Sequence, residues 1–175
     1  MEPGKILIAE NAGNYLIKLV GYVRLTLCAS LNRYIESIFT PVDGAVSADR
    51  AKHVLIDLCE TEGLDSTTLG LLAKLAIHCQ SEFKLKPLLF CANPSIVREL
   101  EVMAIDGYFE IVASPADGEC SEPHVLQELP EVDDKPEIIR DQVLDAHRLL
   151  VELNPGCEKD FADLIHTLEQ EAGAG

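Results

Sequence analysis

Short apolar strings and helical spacings alternate through the first two thirds of the chain. Lys5 to Ala9 (KILIA) and Tyr15 to Val20 (YLIKLV) read as two strands, and Asn11-Ala-Gly-Asn14 between them suits a hairpin turn. The opening is therefore predicted to be antiparallel. From Thr26 onward, Leu27, Leu31, Tyr34, Ile35, Ile38 and Phe39 share one face at helical spacing, and Pro41 and Gly44 end that helix. His53 to Leu58 (HVLIDL) is a buried-strand pattern. After a Thr-Glu-Gly loop the helical period returns as Leu69, Leu72, Ala73, Ala76, Cys79 and Phe83. Pro87 to Ala92 (PLLFCA) predicts another strand, and Pro94 opens a helix carrying Ile96, Val97, Leu100 and Met103. Gly107 interrupts, and Tyr108 to Val112 (YFEIV) predicts a last short strand. This order specifies a mixed-sheet α/β unit over residues 1–115.

The pattern then changes. Residues 116–135 are dense in prolines and acids with no sustained apolar period, which predicts a linker. Over residues 136–172 two amphipathic helices are predicted, the first carrying Ile139, Val143, Ala146, Leu150 and Leu153, the second Phe161, Leu164, Ile165 and Leu168. Asn154-Pro-Gly156 breaks them into a hairpin. Helices this short need a partner surface, either the α/β unit or another chain, and the pattern alone leaves both open.

Composition supports one domain with an appendage: 175 residues, 47% of them apolar, can bury a substantial core. The net charge of -16 excludes nucleic-acid backbone as a partner class, since no cluster of Lys and Arg offsets it. Residues 116–175 hold 16 acids and 4 bases, against 14 and 10 in residues 1–115, so the acidity belongs mainly to the tail. That tail is either a solvated surface or a face that steers a basic partner. The six cysteines, Cys28, Cys59, Cys79, Cys91, Cys120 and Cys157, show no C-x-x-C spacing and read as reduced thiols. No apolar run reaches signal-peptide or membrane-span length, so a cytoplasmic protein without a membrane partner is expected.

The chemically informative stretch follows the central strand. Asp65, Ser66, Thr67 and Thr68 stand together where a helix begins, and their oxygens can cap its free amide groups. A phosphate on Ser66 would lie near the positive end of the helix dipole, where the helix tolerates it. A partner covering the site would meet about -1.5 to -2 units of new charge. Such a modification abolishes docking without unfolding the protein.

Enzyme and metal signals are missing from the sequence. There is no G-x-G-x-x-G, Walker-type Gly-Lys, G-x-S-x-G or H-E-x-x-H string, and His53, His78, His124, His147 and His166 are scattered. No catalytic residue, metal ligand or cofactor is assigned. His147 invites a phosphotransfer reading, but it occupies an ordinary amphipathic-helix position. Asp57 closes a buried strand as a phospho-aspartate would, yet the paired acids and the lysine that would support a magnesium site are not found.

The strings V-L-I-D-L (Val54 to Leu58) and L-D-S-T-T-L-G-L-L (Leu64 to Leu72) resemble the signature of STAS-domain anti-sigma factor antagonists. In that family a strand ending in D-L precedes a D-S-(S/T)-G-L-G-type turn and helix. The order of elements over roughly residues 5–115 is similar too, as is Asn93 to Leu100 after the fourth strand. The resemblance implies a STAS-like mixed β-sheet covered by helices, with the linker and tail hairpin lying outside it. It implies Ser66 as the acceptor of a phosphoryl group from a serine kinase, with Thr67 and Thr68 as competing hydroxyls, and removal by a phosphoserine phosphatase. It further implies a bacterial regulator of transcription that switches between partners, an anti-sigma factor or the kinase. The expected docking surface comprises Asp65, Ser66, Thr67, Thr68 and Gly70, with Arg24 nearby. Two positions depart from the family. Thr68 stands where many members have Gly, and Gly21-Tyr-Val-Arg24 stands where many have Gly-x-x-Asp, so Arg24 is opposite in sign. The alternative is a constitutive interaction or scaffold module in which Ser66 is only a helix cap. An enzyme would require a polar cleft with convergent titratable groups.

Overall fold

The computed structural model describes residues 3–40, 51–113 and 125–174. Pro41, Gly44, Cys120, His124 and the first part of the expected linker, 116–124, lie outside the described residues. The elements run β1 (Lys5–Asn11), β2 (Asn14–Val23), α1 (Leu25–Phe39), β3 (His53–Asp57), β4 (Thr61–Leu64), α2 (Ser66–His78), β5 (Leu88–Phe90), α3 (Pro94–Val102), β6 (Glu110–Val112), β7 (Gln127–Glu128), α4 (Pro136–Leu153) and α5 (Glu158–Gly173).

Among the described residues the sheet has seven strands, in the order β6-β5-β3-β2-β1-β7 with β4 paired to the far end of β2. The β1–β2 hairpin is antiparallel, closed by Ala12 and Gly13 with φ of 49° and 86°. Two left-handed residues in succession match the twist of the strands they join. Each βα connection then adds a parallel strand, β3 on β2, β5 on β3 and β6 on β5. Apolar groups of β1 and β2, Ile6, Ile8, Ile17 and Leu19, meet Leu27, Leu31, Ile35 and Ile38 of α1 and Leu72 and Leu75 of α2 in one core. Period two on the strands and period 3.6 on the helices thus serve the same apolar volume.

Three features differ from the sequence expectation. The Thr-Glu-Gly segment, predicted as a loop, is part of β4, paired in parallel with Gly21, Tyr22 and Val23. Register shifts at Gly21, whose φ is 71°, and this left-handed residue makes the bulge that carries β2 past β3 to β4. After His78, the helix widens into a π turn, Cys79–Phe83, that ends at left-handed Lys84. The third difference lies in the expected linker. Its described part is a strap along the sheet edge, where β7 pairs with Leu7 and Ile8 and the Leu129 amide donates to the Ile6 carbonyl. Ser30 and Arg33 of α1 hold the strap further on, at the Pro130 carbonyl and the Asp134 carboxylate.

The tail hairpin packs in cis. Helix α4 lies along α2, and α5 lies along α4. Leu144, Ala146, His147 and Leu150 are buried on the inner side of α4, whereas no residue of α5 is buried. The Asn154 side chain donates to the Val102 carbonyl at 2.9 Å and fixes the turn of the hairpin to the end of α3.

Candidate functional site

The chain reaches Ser66 through β4. The Asp65 amide donates to the Val23 carbonyl at 3.3 Å, so the end of β2 and the start of α2 are tied together. Asp65 is the N-cap: its Oδ1 accepts from the Thr68 amide at 2.8 Å and from the Thr68 hydroxyl at 2.7 Å. This occupies one of the orphan donors of the first turn and places a carboxylate at the positive end of the helix. Asp65→Ala is expected to cost about 1–2 kcal/mol, checked by urea denaturation, with β-sheet structure retained.

The three hydroxyls of the turn have different surroundings. Thr68 is fully buried, its Oγ1 also 3.4 Å from the Cys28 sulfur, and Thr67 is buried as well. Burial pushes the Cys28 thiol up to about 12 even though the hydrogen bond with Thr68 works in the other direction, so this sulfur stays a neutral thiol behind the turn. Ser66 alone is half-buried and lies outside the core. Its hydroxyl does not cap the helix, which corrects the expectation of a Ser66 cap; Asp65 does that work, and Ser66 is the first helical residue.

Instead, Ser66 Oγ lies 2.7 Å from Nε2 of His147, a residue of α4 that is 1% exposed. His147 Nδ1 lies 2.6 Å from the Val143 carbonyl. A carbonyl only accepts, so Nδ1 carries a hydrogen and donates to Val143; in the tautomer protonated at Nδ1 alone, Nε2 accepts from the Ser66 hydroxyl. The Phe161 ring of α5 stands edge-on to the imidazole, with centroids 4.8 Å apart. One turn along α2, a Cβ on Gly70 would come within 2.7 Å of Ala146 Cβ and 2.8 Å of the Ala146 carbonyl oxygen. Glycine is needed there because the two helix backbones approach closely.

The residues singled out in the sequence are therefore brought together, but most are covered. Asp65 and Ser66 are half-buried, Thr67 and Thr68 face inward, and Gly70 is buried against α4. Arg24 stands at the start of α1, exposed, its guanidinium 5.8 Å from the centroid of the Tyr22 ring. Beside the seam, a cleft of about 350 Å³ between α1, α2 and α4 is lined in part by Glu36, Gly70, Lys74, Asp145 and Arg148. Its charges are mixed, and Lys74 is held by Asn32 and Glu36. Asp57 is engaged too: its Oδ1 accepts from the Cys59 amide at 2.9 Å, and Lys18 stands 4.0 Å from Oδ2. Among the described residues, no group of three His, Cys, Asp or Glu could hold a metal ion, and no helix is long and apolar enough to cross a membrane.

His147, read in the sequence as an ordinary amphipathic-helix position, is the residue that meets Ser66. Its place on an amphipathic face was legible, but its pairing with a serine 81 positions away was not.

No family model matches the chain, and no curated protein matches it. Among solved structures it is similar to the crystal structure of an anti-sigma factor antagonist from Mycobacterium paratuberculosis. That match has a TM-score of 0.50 and 20% identity, and it covers 66% of this chain and 90% of the other. Over that shared part the chain has the fold of an anti-sigma factor antagonist, the architecture to which its D-S-T-T turn pointed.

Proposed function

We propose that the protein is a non-enzymatic regulator that acts by partner switching and binds an anti-sigma factor or a serine kinase while Ser66 is unmodified. A serine kinase adds the phosphoryl group. Ser66 Oγ forms a bond to the γ-phosphorus of a nucleoside triphosphate, the bond to the bridging oxygen breaks, and the hydroxyl proton passes to a base of the kinase as the nucleoside diphosphate leaves. A phosphoserine phosphatase restores the hydroxyl with water. The protein then acts in the bacterial cytoplasm, on transcription, through whichever regulator it holds.

The observation that carries this reading is the position of Ser66 as the sole hydroxyl of its turn outside the core, on the first residue of a helix whose N-terminus favours added negative charge. Thr67 and Thr68 are too deeply buried to serve as acceptors in this arrangement. The rival reading is a constitutive scaffold in which the Ser66 hydroxyl only latches the tail through His147.

Affinity for a partner co-purified from the native cell separates the two. Partner switching expects Ser66→Ala to bind as well as wild type or better, and Ser66→Asp to bind about tenfold more weakly, one carboxylate being a partial substitute for phosphate. Equal affinity of all three proteins would favour the scaffold.

A further inference from the structure

Helix α4 occupies the same face of α2 that the proposed switch requires. We propose that the α4–α5 hairpin is an intramolecular cover of the Ser66 face, latched by the Ser66–His147 hydrogen bond and the Gly70–Ala146 contact, and released when Ser66 carries a phosphoryl group. The proposal rests on the partner-switching reading and adds its regulation: the first competitor for the switch surface is the chain's own tail.

The latch is in the way of the modification. Oγ lies 2.7 Å from the imidazole nitrogen, one turn from a seam where a Cβ on Gly70 would come within 2.7 Å of Ala146, so a phosphoryl group on that oxygen pushes against α4. Chemistry opposes it as well. Phosphorylation removes the hydroxyl hydrogen, so Ser66 can no longer donate to Nε2 and the hydrogen bond of the docked form is lost. The docked hairpin and the phosphorylated serine are therefore alternatives.

The boundaries of what moves are visible in the fold. The strap before α4 is fixed at β7, at Pro130 and at Asp134, so release pivots at Lys135–Pro136 and leaves the strap on the sheet edge. Helix α5 rides on α4 and has no buried residue of its own, so the two leave together. The uncovered face then presents Ser66, Gly70 and Leu71. A partner that replaces α4 on the unmodified chain must offer a helix with a small residue opposite Gly70 and a hydrogen-bond acceptor for the Ser66 hydroxyl. Its apparent affinity falls in proportion to the fraction of chains that are open.

The test uses the full chain with phosphoserine installed at position 66, beside the unmodified chain and Ala146→Glu, whose side chain would intrude on Gly70 without altering the α/β unit. Amide hydrogen exchange is followed with no partner present. The expected result is exchange at least about tenfold faster over residues 136–153 in the phosphoserine and Ala146→Glu chains, with β1, β2, β3 and α1 unchanged. Equal protection of α4 in the phosphorylated and unmodified chains overturns the proposal. Loss of protection spread evenly over sheet and hairpin overturns it too, since the tail would then belong to a single cooperative core. Neither failure touches the affinity series with Ser66→Ala and Ser66→Asp, which decides partner switching on its own.

Discussion

Gly70→Val is expected to destabilise the chain by roughly 2–3 kcal/mol, although glycine is the weaker helix former. In an isolated helix the substitution would be favourable by a few tenths of a kcal/mol. Here the added Cβ would stand 2.7 Å from the Cβ and 2.8 Å from the carbonyl oxygen of Ala146, and a backbone oxygen cannot swing away as a side-chain tip can. Either α4 shifts outward or the seam stays overpacked, and close-packed interiors resist both. Urea denaturation measures the loss. A double-mutant cycle of Gly70→Ala with Ala146→Gly locates its cause, because the pair is expected to be less destabilised than the sum of the single changes. A net gain of stability for Gly70→Val would show that the two helices do not meet in solution.

Leu150→Ala is the second large effect. Leu150 is fully buried and belongs to the same apolar cluster as the sheet and α2, although it lies on the tail. Removing its isobutyl group loses transfer free energy and leaves a cavity, together about 2–5 kcal/mol. Because the lost contact is one that holds α4 on the α/β unit, hydrogen exchange should rise over α4 and α5 before it rises in the sheet. A cost below about 1 kcal/mol would place Leu150 on a loosely held surface and contradict the packing described here.

Much of this fold could be read from residue spacing, and the exceptions share a cause. The β1–β2 alternation, the apolar face of α1 and the helix start at Asp65 each depend on neighbours in sequence, and each forms where expected. Strand β7 has two residues in an acidic, Pro-containing stretch, and nothing in Gln127 or Glu128 announces a strand. Its pairing is dictated by the open edge of β1, a tertiary fact. Likewise β4 exists because the bulge at Gly21 brings β2 alongside it. At the site, the capping cluster of Asp65, Ser66, Thr67 and Thr68 was legible from composition and order. The covering of Ser66 was not, because a histidine on an amphipathic helix looks the same in sequence whether it meets solvent, apolar groups or a serine distant in the chain. The sequence left open whether the hairpin packs in cis or binds another molecule; the buried His147 and Ala146 answer that for this chain.

The acidic tail has two distinct sides. Its acids lie largely on exposed positions of α4 and α5, with Arg148 paired to Glu169 at 2.7 Å across the two helices. The apolar side faces inward, so release of the hairpin would expose apolar surface and the Ser66 turn together.

The most direct measurement is phosphopeptide mass spectrometry of the protein isolated from its own cell, with and without phosphatase treatment. A phosphoryl group on Ser66 that disappears on treatment, with Thr67 and Thr68 unmodified, is the expected result. A protein never phosphorylated at Ser66 under any growth condition, or phosphorylated only at other positions, would contradict the idea that charge on this hydroxyl decides what the chain binds.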